Sequence, residues 1–596
     1  MKRKNQMKYK MHLLGKSIKI LFRTSKLYTV SIITLCVVNG LIAPISTVMY
    51  QEFLDSVVIM VQKGGLLKSS IILLLKMTLF SFLSFTISGM QSFLKKAFSG
   101  KLDIYITDVV LGKAVLLPME TFDNAEIYNH INRASTQTST NCIKLLEAIS
   151  ESIYAFVKGF SFLYIIFHFS WKLALGCIVS LFPLLHISMK INTYWYKILY
   201  RRVEKNRLIE YLKMLLIKNE NIKEIKIYSV GEKIIAIIKK NLTTFCNEDV
   251  QANKKFLHKK MAVRCLDDLA SMIAKLWLLI LGMQQNCSVG TIILYFNSLD
   301  NLKLSYTQLI NKFSDFQNSL LYMESFDVLE NEMEGSTCET EIIGDNFNEI
   351  EFRNVSFKYP GCSQFVLKNI SIKFKRGKTY FIVGLNGSGK TTLIKLLLRL
   401  YTPTEGEILI DGKNIQSYAL NEYYAHISAV FQDFIKYPFN VFENVVIRSE
   451  GIDFSSFEDA LENVGMKEFV GKLPNKERTM LMRDWTGGVD LSQGQWQKLA
   501  IARCMINESV ISILDEPFSS LDAESENLII SKLRLLGCDR LMLFITHRFS
   551  SISPTDQIIV LKEGQLLETG THDELMRKCG IYYKLHIAQE VTSNSN

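Results

Sequence analysis

The sequence predicts an all-α domain of six membrane-spanning helices, followed by an α/β domain built on a central sheet. Three observations predict this fold. Long apolar runs fill the first half, strand-like and helix-like runs alternate in the second half, and a glycine-rich loop joins a strand to a helix at 384–391. At 596 residues the chain is too long for one core. Its mean hydropathy of +0.14 favours a membrane protein.

Six apolar runs are candidate membrane spans, because about 20 mostly apolar residues cross the hydrocarbon core. Four runs are strong, whereas the fifth contains Lys275 and the sixth contains Asp300 and Lys303. The third and fourth runs are separated by Lys172 alone, which predicts a tight hairpin there. The runs are 28–50, 69–90, 152–171, 173–189, 269–283 and 288 to about 309.

The loops between these runs indicate the orientation of the chain. The stretches 95–147 and 190–265 are long and rich in lysine, whereas the connections near 172 and 284–287 are short. Because Lys and Arg accumulate in cytoplasmic loops, we expect both long loops, the N-terminus and the C-terminal half to be cytoplasmic. The same bias explains the net charge of +11. No basic run is interleaved with stacking aromatics, so we expect no nucleic-acid partner.

Ionisable residues also fall in or at the edge of the predicted spans. At membrane depth such groups usually pair with each other or face a water-filled cavity, and near the boundary they snorkel to the headgroups. We expect some to snorkel and the remainder to line a polar passage. They are Lys76, Lys158, Asp267, Asp268 and Lys275.

Composition also predicts the domain boundaries. The basic segment 1–27 has no small-residue cleavage site and reads as an uncleaved cytoplasmic tail. The six-span domain is predicted over 28–330, a polar and acidic linker over 331–348, and the α/β domain over 349–596. The 11 cysteines are scattered without a C-x-x-C pair, so we expect reduced thiols.

The glycine-rich loop has the pattern and the context of a P-loop. It follows an apolar strand and opens an apolar helix, so its backbone N–H groups can surround phosphate at a helix N-terminus. Lys390 is predicted to reach the β- and γ-phosphates, and the Thr391 hydroxyl to bind Mg²⁺. The predicted ATP-binding residues of this loop are Gly384, Leu385, Asn386, Gly387, Ser388, Gly389, Lys390, Thr391 and Thr392.

A second group of candidate residues follows the strand-like run 510–514. There Asp515 is placed to hold Mg²⁺, directly or through water, and Glu516 to orient and deprotonate the attacking water. Phosphoryl transfer requires a metal, charge neutralisation and a positioned nucleophile, and these two motifs together supply all three.

Between the two motifs lies the sequence LSQGQWQK, residues 491–498, which resembles the signature of the ATP-binding cassette (ABC) family. Further motifs of that family follow in order. The resemblance implies that Tyr359 stacks on adenine, that Gln432 contacts Mg²⁺ and the lytic water, and that His547 contacts the γ-phosphate. It also implies that 519–522 crosses between subunits. It adds Ser492, Gln493, Gly494 and Gln495 to the ATP-binding residues.

The resemblance implies an exporter that works as a dimer. In this family the signature of one cassette binds the γ-phosphate held by the P-loop of the other, so a chain with one cassette must dimerise, and a homodimer is the simplest closure. Gln493 departs from the pattern, because that position most often carries glycine. Residues 120–129 and 223–228 resemble the intracellular segments that dock on the cassettes.

The cargo is less closely indicated. The signature continuation and the intracellular segments look most like exporters of lantibiotics and other bacterial peptides, and an exporter of lipids or small hydrophobic drugs is the alternative. A non-transport P-loop ATPase acting on nucleic acid or translation is a third hypothesis, which the six spans oppose. About 27 residues precede the first span, so we expect a separate protein to remove any leader peptide.

Overall fold

The computed structural model describes residues 2–63, 67–333, 347–448, 451–507, 509–549 and 552–594. The chain divides into two units. Unit 1 comprises Met1–Leu117 and Glu126–Glu334, and unit 2 comprises Pro118–Ala125 and Gly335–Asn596. The predicted linker, 331–348, lies mostly outside the described residues.

Long helices joined by short connections make up the described residues of unit 1. Four predicted spans lie wholly within one helix each, and the sixth begins one residue before its helix. The third, 152–171, runs past the helix end at Phe169 and reaches Trp171, the first residue of the next helix. Four of these helices, α2, α3, α5 and α6, are long and apolar enough to cross a membrane. The other two, α8 and α9, carry the charged residues of the fifth and sixth runs. The helices up to α9 are α1 (Lys2–Thr24), α2 (Lys26–Lys63), α3 (Leu67–Leu116), α4 (Met119–Asp123), α5 (Ala125–Phe169), α6 (Trp171–Ile217), α7 (Asn219–Ile227), α8 (Gly231–Gln284) and α9 (Val289–Met333).

The hairpin between α5 and α6 lies at Ser170 and not at Lys172, so that prediction was wrong by two residues. Ser170 has extended backbone angles, φ −155° and ψ 112°, and Lys172 belongs to the first turn of α6. Serine forms helix less readily than lysine and is favoured at the position before a helix. Lys172 lies close to the connection but is not part of it.

Polar contacts hold the long helices together outside the apolar runs. The buried Arg202 of α6 donates from Nε and Nη2 to Glu248 Oε2 of α8, at 3.0 and 2.9 Å, and from Nη2 to the Phe245 carbonyl at 2.9 Å. Helix α1, within the predicted N-terminal tail, is tied to α9 by an ion pair between Lys16 and Asp327. No disulfide joins the nine cysteines that the structure describes as free thiols.

Unit 2 contains two sheets. A four-stranded antiparallel sheet has the order β2-β1-β4-β5, and a six-stranded sheet has the order β10-β9-β3-β8-β7-β6. In the larger sheet all neighbours are parallel except β9 and β10. The strands are β1 (Glu349–Phe357), β2 (Leu367–Lys375), β3 (Thr379–Val383), β4 (Glu405–Ile410), β5 (Lys413–Asn414), β6 (Ile427–Val430), β7 (Ile511–Asp515), β8 (Leu541–Ile545), β9 (Gln557–Lys562) and β10 (Gln565–Gly570).

Helices cover the larger sheet. One apolar core lies between the two sheets and α10, and a second packs α13, α15 and α16 around the buried Trp496. The helices are α10 (Lys390–Leu397), α11 (Leu420–Ala425), α12 (Val441–Val445), α13 (Phe454–Asn463), α14 (Lys467–Gly471), α15 (Gln493–Met505), α16 (Ala523–Leu536), α17 (His572–Lys578) and α18 (Ile581–Asn594).

This topology places the predicted motifs at one edge of the six-stranded sheet. The P-loop follows β3, His547 follows β8, Glu516 follows β7 and Gln432 follows β6. These four strands are adjacent in the order β3-β8-β7-β6 and run parallel. Ligands of open α/β sheets bind outside the carboxyl ends of such strands.

Candidate functional site

The P-loop depends on glycine for its shape. Gly387 and Gly389 have φ values of 78° and 102°, in the left-handed region that favours glycine. A Cβ on Gly389 would also lie 2.6 Å from Leu367 Cδ2. Gly389 immediately precedes α10, and no side chain caps this helix. The first backbone N–H groups of α10 therefore face the loop, where they favour an anion.

The buried polar groups of the loop suit an anion. The Lys390 ammonium donates to the carbonyls of Gly384, at 2.9 Å, and Leu385, at 3.1 Å. Burial lowers the pKa of Lys390, and the nearby Glu516 and Asp515 oppose that shift. The Ser388 hydroxyl is buried and has no hydrogen-bond partner in the part of the chain that the structure describes. An ammonium, an unsatisfied hydroxyl and an open helix N-terminus together fit a bound triphosphate.

Thr391 and Asp515, each predicted to hold Mg²⁺, meet across the sheet edge. Thr391 Oγ1 donates to Asp515 Oδ2 at 3.2 Å. Burial raises the pKa of Asp515, and the Thr391 hydrogen bond and the charge of Lys390 oppose the rise. A cation would add to that opposition and favour the carboxylate.

Glu516 is held by two of the side chains predicted to act with it. Gln432 Nε2 donates to Glu516 Oε2 at 2.9 Å, and His547 Nε2 lies 2.9 Å from Glu516 Oε1. Glu516 has φ 46°, and its N–H donates to the Ile545 carbonyl at 3.0 Å. Burial and the charge of Lys390 lower the pKa of His547, which favours the neutral ring. The backbone thus presents the Glu516 carboxylate at the sheet edge in a conformation that few non-glycine residues adopt.

The signature residues begin α15. Ser492 caps the helix, accepting from the Gln495 N–H at 3.2 Å, and the Gln495 side chain accepts from the Ser492 N–H at 2.9 Å. Ser492 and Gln493 are exposed. Gln493 is the first residue of α15 and does not have a positive φ, so its backbone does not require the glycine that is usual there.

Gln497 was missed as a site residue, although it lies within the signature run. Its buried amide donates to the Glu516 carbonyl and to Ser519 Oγ, each at 3.2 Å, and accepts from the Ser520 N–H at 3.0 Å. It joins α15 to the loop that carries Glu516. Its position on α15 is typical of a core residue, and no local sequence signal shows that its partners come from the loop after β7.

Tyr359 and α4, which lies in the first segment predicted to dock, both contact Tyr401. The Tyr359 ring packs edge-on against the Tyr401 ring, with centroids 5.2 Å apart, and its hydroxyl lies 3.1 Å from Thr392 Oγ1. The Tyr401 hydroxyl donates to Asp123 Oδ2 at 2.6 Å. Burial and the Asp123 contact both raise the pKa of Tyr401 and keep it protonated. Helix α4, from the segment predicted to dock, therefore packs within unit 2 beside the predicted adenine-stacking tyrosine.

Comparison with known proteins decides the family. The family model described as ABC transporter matches residues 367–519, and the model described as ABC transporter transmembrane region matches residues 29–296. Together these ranges cover more than half of the chain. The chain belongs to the ABC transporter family. It is an ATPase coupled to transmembrane transport, of the exporter type and multi-pass in a bacterial cell membrane.

Relatives of this ABC transporter include proteins with different cargoes. It is 28% identical to the subtilin transport ATP-binding protein SpaT of Bacillus subtilis, over 98% of this chain and 96% of that protein. It is 26% identical to the nisin transport ATP-binding protein NisT of Lactococcus lactis, over 98% of each. It is 28% identical to the ATP-dependent lipid A-core flippase of Escherichia coli K12, over 82% of this chain and 84% of that protein.

The solved structures agree with the predicted fold class. A bacterial Atm1-family ABC exporter with ATP bound superposes with a TM-score of 0.80 at 21% identity, covering 97% of this chain and 99% of that one. The predicted order, a helical transmembrane domain followed by an α/β P-loop domain, is confirmed.

The close approach of α15 to the 519–522 loop generates a prediction. In Gly494→Ala the new Cβ would lie 2.8 Å from the Ser520 carbonyl oxygen, a backbone atom that cannot rotate away. Alanine suits the helix itself, so the expected cost of about 1–3 kcal/mol comes from overpacking. The start of α15 should shift, disturb the Gln497 contacts and lower the ATPase rate roughly tenfold, measured as phosphate release by the purified protein.

The matched control is Gly471→Ala in α14, where a Cβ meets open space. It should leave the rate at the wild-type value. A Gly494→Ala protein as active as the wild type would contradict the assigned packing.

Proposed function

We propose that this chain exports a peptide of the lantibiotic or a related ribosomally made antimicrobial class, acting as a homodimer. The observation that carries the proposal is the full-length similarity to two proteins named for subtilin and nisin transport, which extends through both units. The flippase similarity covers less of the chain, and export of lipids or small hydrophobic drugs is the alternative.

In the proposed reaction the chain's own groups divide the work on ATP. Lys390 and the first N–H groups of α10 hold the β- and γ-phosphates, and the Tyr359 ring stacks on the adenine. Glu516 accepts a proton from the attacking water, with Gln432 and His547 holding its carboxylate in place. The lowered pKa of His547 favours a neutral ring, which donates one hydrogen bond and adds no positive charge to that of Lys390.

The donor set beside Thr391 suits Mg²⁺. Thr391 supplies a hydroxyl and Asp515 a carboxylate, and Gln432, which bonds Glu516 through its amide nitrogen, would supply its amide oxygen. This ion prefers such oxygen ligands. When bound, the ion would neutralise charge on the phosphates. Asp515 would then be ionised, against the effect of its burial.

The exposure of the signature supports the proposed homodimer. Ser492 and Gln493 lie at an exposed helix start, where N–H groups and a hydroxyl can meet an anion on another molecule. We propose that each copy lends this helix start to the ATP bound by the P-loop of its partner. Closure and release of the two cassettes would then open the membrane passage first to one side of the membrane and then to the other.

The catalytic assignment is tested by Glu516→Gln. The amide keeps the shape of the side chain and can still bond Gln432 or His547, so ATP binding should persist. It cannot take the proton, so hydrolysis should fall about 100-fold or more, measured as single-turnover phosphate release beside ATP binding. The control Glu468→Gln, at an exposed carboxylate of α14, should match the wild type. Unchanged turnover in Glu516→Gln would refute the assigned role.

The cargo assignment is tested with the protein reconstituted in lipid vesicles. Peptides of the lantibiotic class should raise the ATPase rate and accumulate inside inverted vesicles in an ATP-dependent manner. The Glu516→Gln protein, treated identically, should show neither effect. Stimulation by added lipids or hydrophobic drugs, with no response to any peptide, would replace the proposal with its alternative.

A further inference from the structure

A cavity of about 490 Å³ lies between α8 and α9 in unit 1. We name it the α8–α9 pocket. Charged residues line one part of it, and apolar residues line the rest. The lining residues that carry the argument are Asp268, Lys275, Asp300, Lys303, Leu279 and Phe296.

The charges of the α8–α9 pocket are paired across the two helices. Lys275 Nζ lies 2.7 Å from Asp300 Oδ1, and Lys303 Nζ lies 2.5 Å from Asp268 Oδ1. Lys303 is shared, because its Nζ also lies 2.8 Å from Oδ2 of the buried Asp267. Pairing of this kind allows two helices that are not uniformly apolar to cross a membrane.

The carboxylates of the pocket are nevertheless more exposed than its ammonium groups. The Asp268 and Asp300 side chains are 62% and 52% exposed, whereas those of Lys275 and Lys303 are 30% and 24% exposed. Each lysine is held against carboxylates, and Lys275 also lies over the Phe296 ring, with Nζ 5.8 Å from its centroid. A molecule that enters the pocket therefore meets carboxylate oxygens beside apolar surface.

These carboxylates lie at membrane depth if α8 and α9 are the fifth and sixth spans, as the match of residues 29–296 to a transmembrane region supports. At 1.5 Å per residue, Asp300 lies about 17 Å from the start of α9, and Asp268 lies about 24 Å from the end of α8. Both distances fall within a hydrocarbon core about 30 Å thick. Carboxylates within a membrane span face the interior of a bundle, a water-filled cavity or a charged partner, which fits a polar passage on this side of the two helices.

We propose that the α8–α9 pocket binds cationic groups of the exported peptide. Asp268 and Asp300 accept an ammonium or guanidinium group, and Leu279 and Phe296 contact the apolar side chains beside it. This inference rests on the proposed export of a peptide. It names the part of the passage that recognises the cargo and the chemistry by which it does so.

The test uses the full chain in lipid vesicles and two variants that break the same ion pair, Asp300→Asn and Lys275→Gln. The probes are three synthetic peptides of equal length and apolar content, whose polar residues are all lysine, all glutamine or all glutamate. The measurement is the peptide concentration that gives half-maximal ATPase stimulation, relative to the unstimulated rate of each variant.

For the lysine peptide, Asp300→Asn should raise this half-maximal concentration about fivefold, because it removes a carboxylate that binds the peptide. Lys275→Gln should lower the concentration about fivefold, because it frees the Asp300 carboxylate from its ion pair. Asp268→Asn, on the other ion pair, should act like Asp300→Asn. For the glutamate peptide the directions should reverse. The controls Lys373→Gln and Glu349→Gln break an exposed ion pair in unit 2. They should leave the half-maximal concentration unchanged for both peptides.

A merely structural ion pair would move both variants in the same direction, because both lose the same contact, and that result would overturn the inference. Equal responses of the wild type and the variants would also overturn it. A wild type stimulated by the glutamine or glutamate peptide but not by the lysine peptide would refute the cationic ligand while leaving peptide export intact. Failure of every peptide, with stimulation by lipid, would instead remove the proposed function on which this inference rests.

Discussion

The position of the Glu516 carboxylate depends on the register of three parallel strands. Asp515 pairs with Ile545, the last residue of β8, and Leu514 pairs with Val430, the last residue of β6. Glu516 therefore lies between the residues that follow β6 and β8, where Gln432 and His547 reach its two oxygens. A slip of one residue would turn alternate side chains to the opposite face of the sheet and separate this group.

The two apolar cores make that register hard to change. Buried residues of β3, β7 and β8 pack on both faces of the sheet, against the antiparallel sheet on one side and α15 on the other. Gln497 adds a polar link from α15 to the Glu516 carbonyl. An insertion or deletion in the signature helix would thus displace Glu516, the proposed base of the same copy, although the signature is proposed to bind the nucleotide of another copy.

Tyr401 contacts both the tyrosine that is proposed to stack on adenine and helix α4, which the chain connects to two long helices. Its ring packs on Tyr359, and its hydroxyl bonds Asp123 in α4, which lies between α3 and α5 in the sequence. The Thr402 N–H also donates to Glu120 of α4, at 3.0 Å. These two contacts therefore hold a segment that the chain connects to two long helices.

Much of this site could be predicted from sequence because its motifs are local. The P-loop and the Asp515–Glu516 pair each follow one apolar strand, and parallel strands bring such ends together. Gln497 could not be predicted, since its partners come from other elements and its position on α15 resembles core. Ser170 was passed over because Lys172 was the more conspicuous break in hydropathy.

The two weaker spans also depend on contacts between elements, which the sequence does not predict. Lys275, Asp300 and Lys303 lower the hydropathy of α8 and α9, and the sequence does not reveal which charges pair. The structure pairs them between the two helices, so the charges that weakened the two predictions are compatible with a crossing. The predicted roles of Lys76 and Lys158 stay predictions.

The central claim, that each ATP is held by the P-loop of one copy and the signature of another, can be tested with mixed dimers. One chain carries Lys390→Ala, and the other carries Ser492→Asp, which keeps a good helix cap but places a carboxylate against the phosphate. Each variant alone should be inactive. Mixed dimers, co-expressed with two tags and purified through both, should regain about half of the wild-type ATPase rate per dimer, because one composite site is intact. Mixed dimers as inactive as either parent would contradict the account.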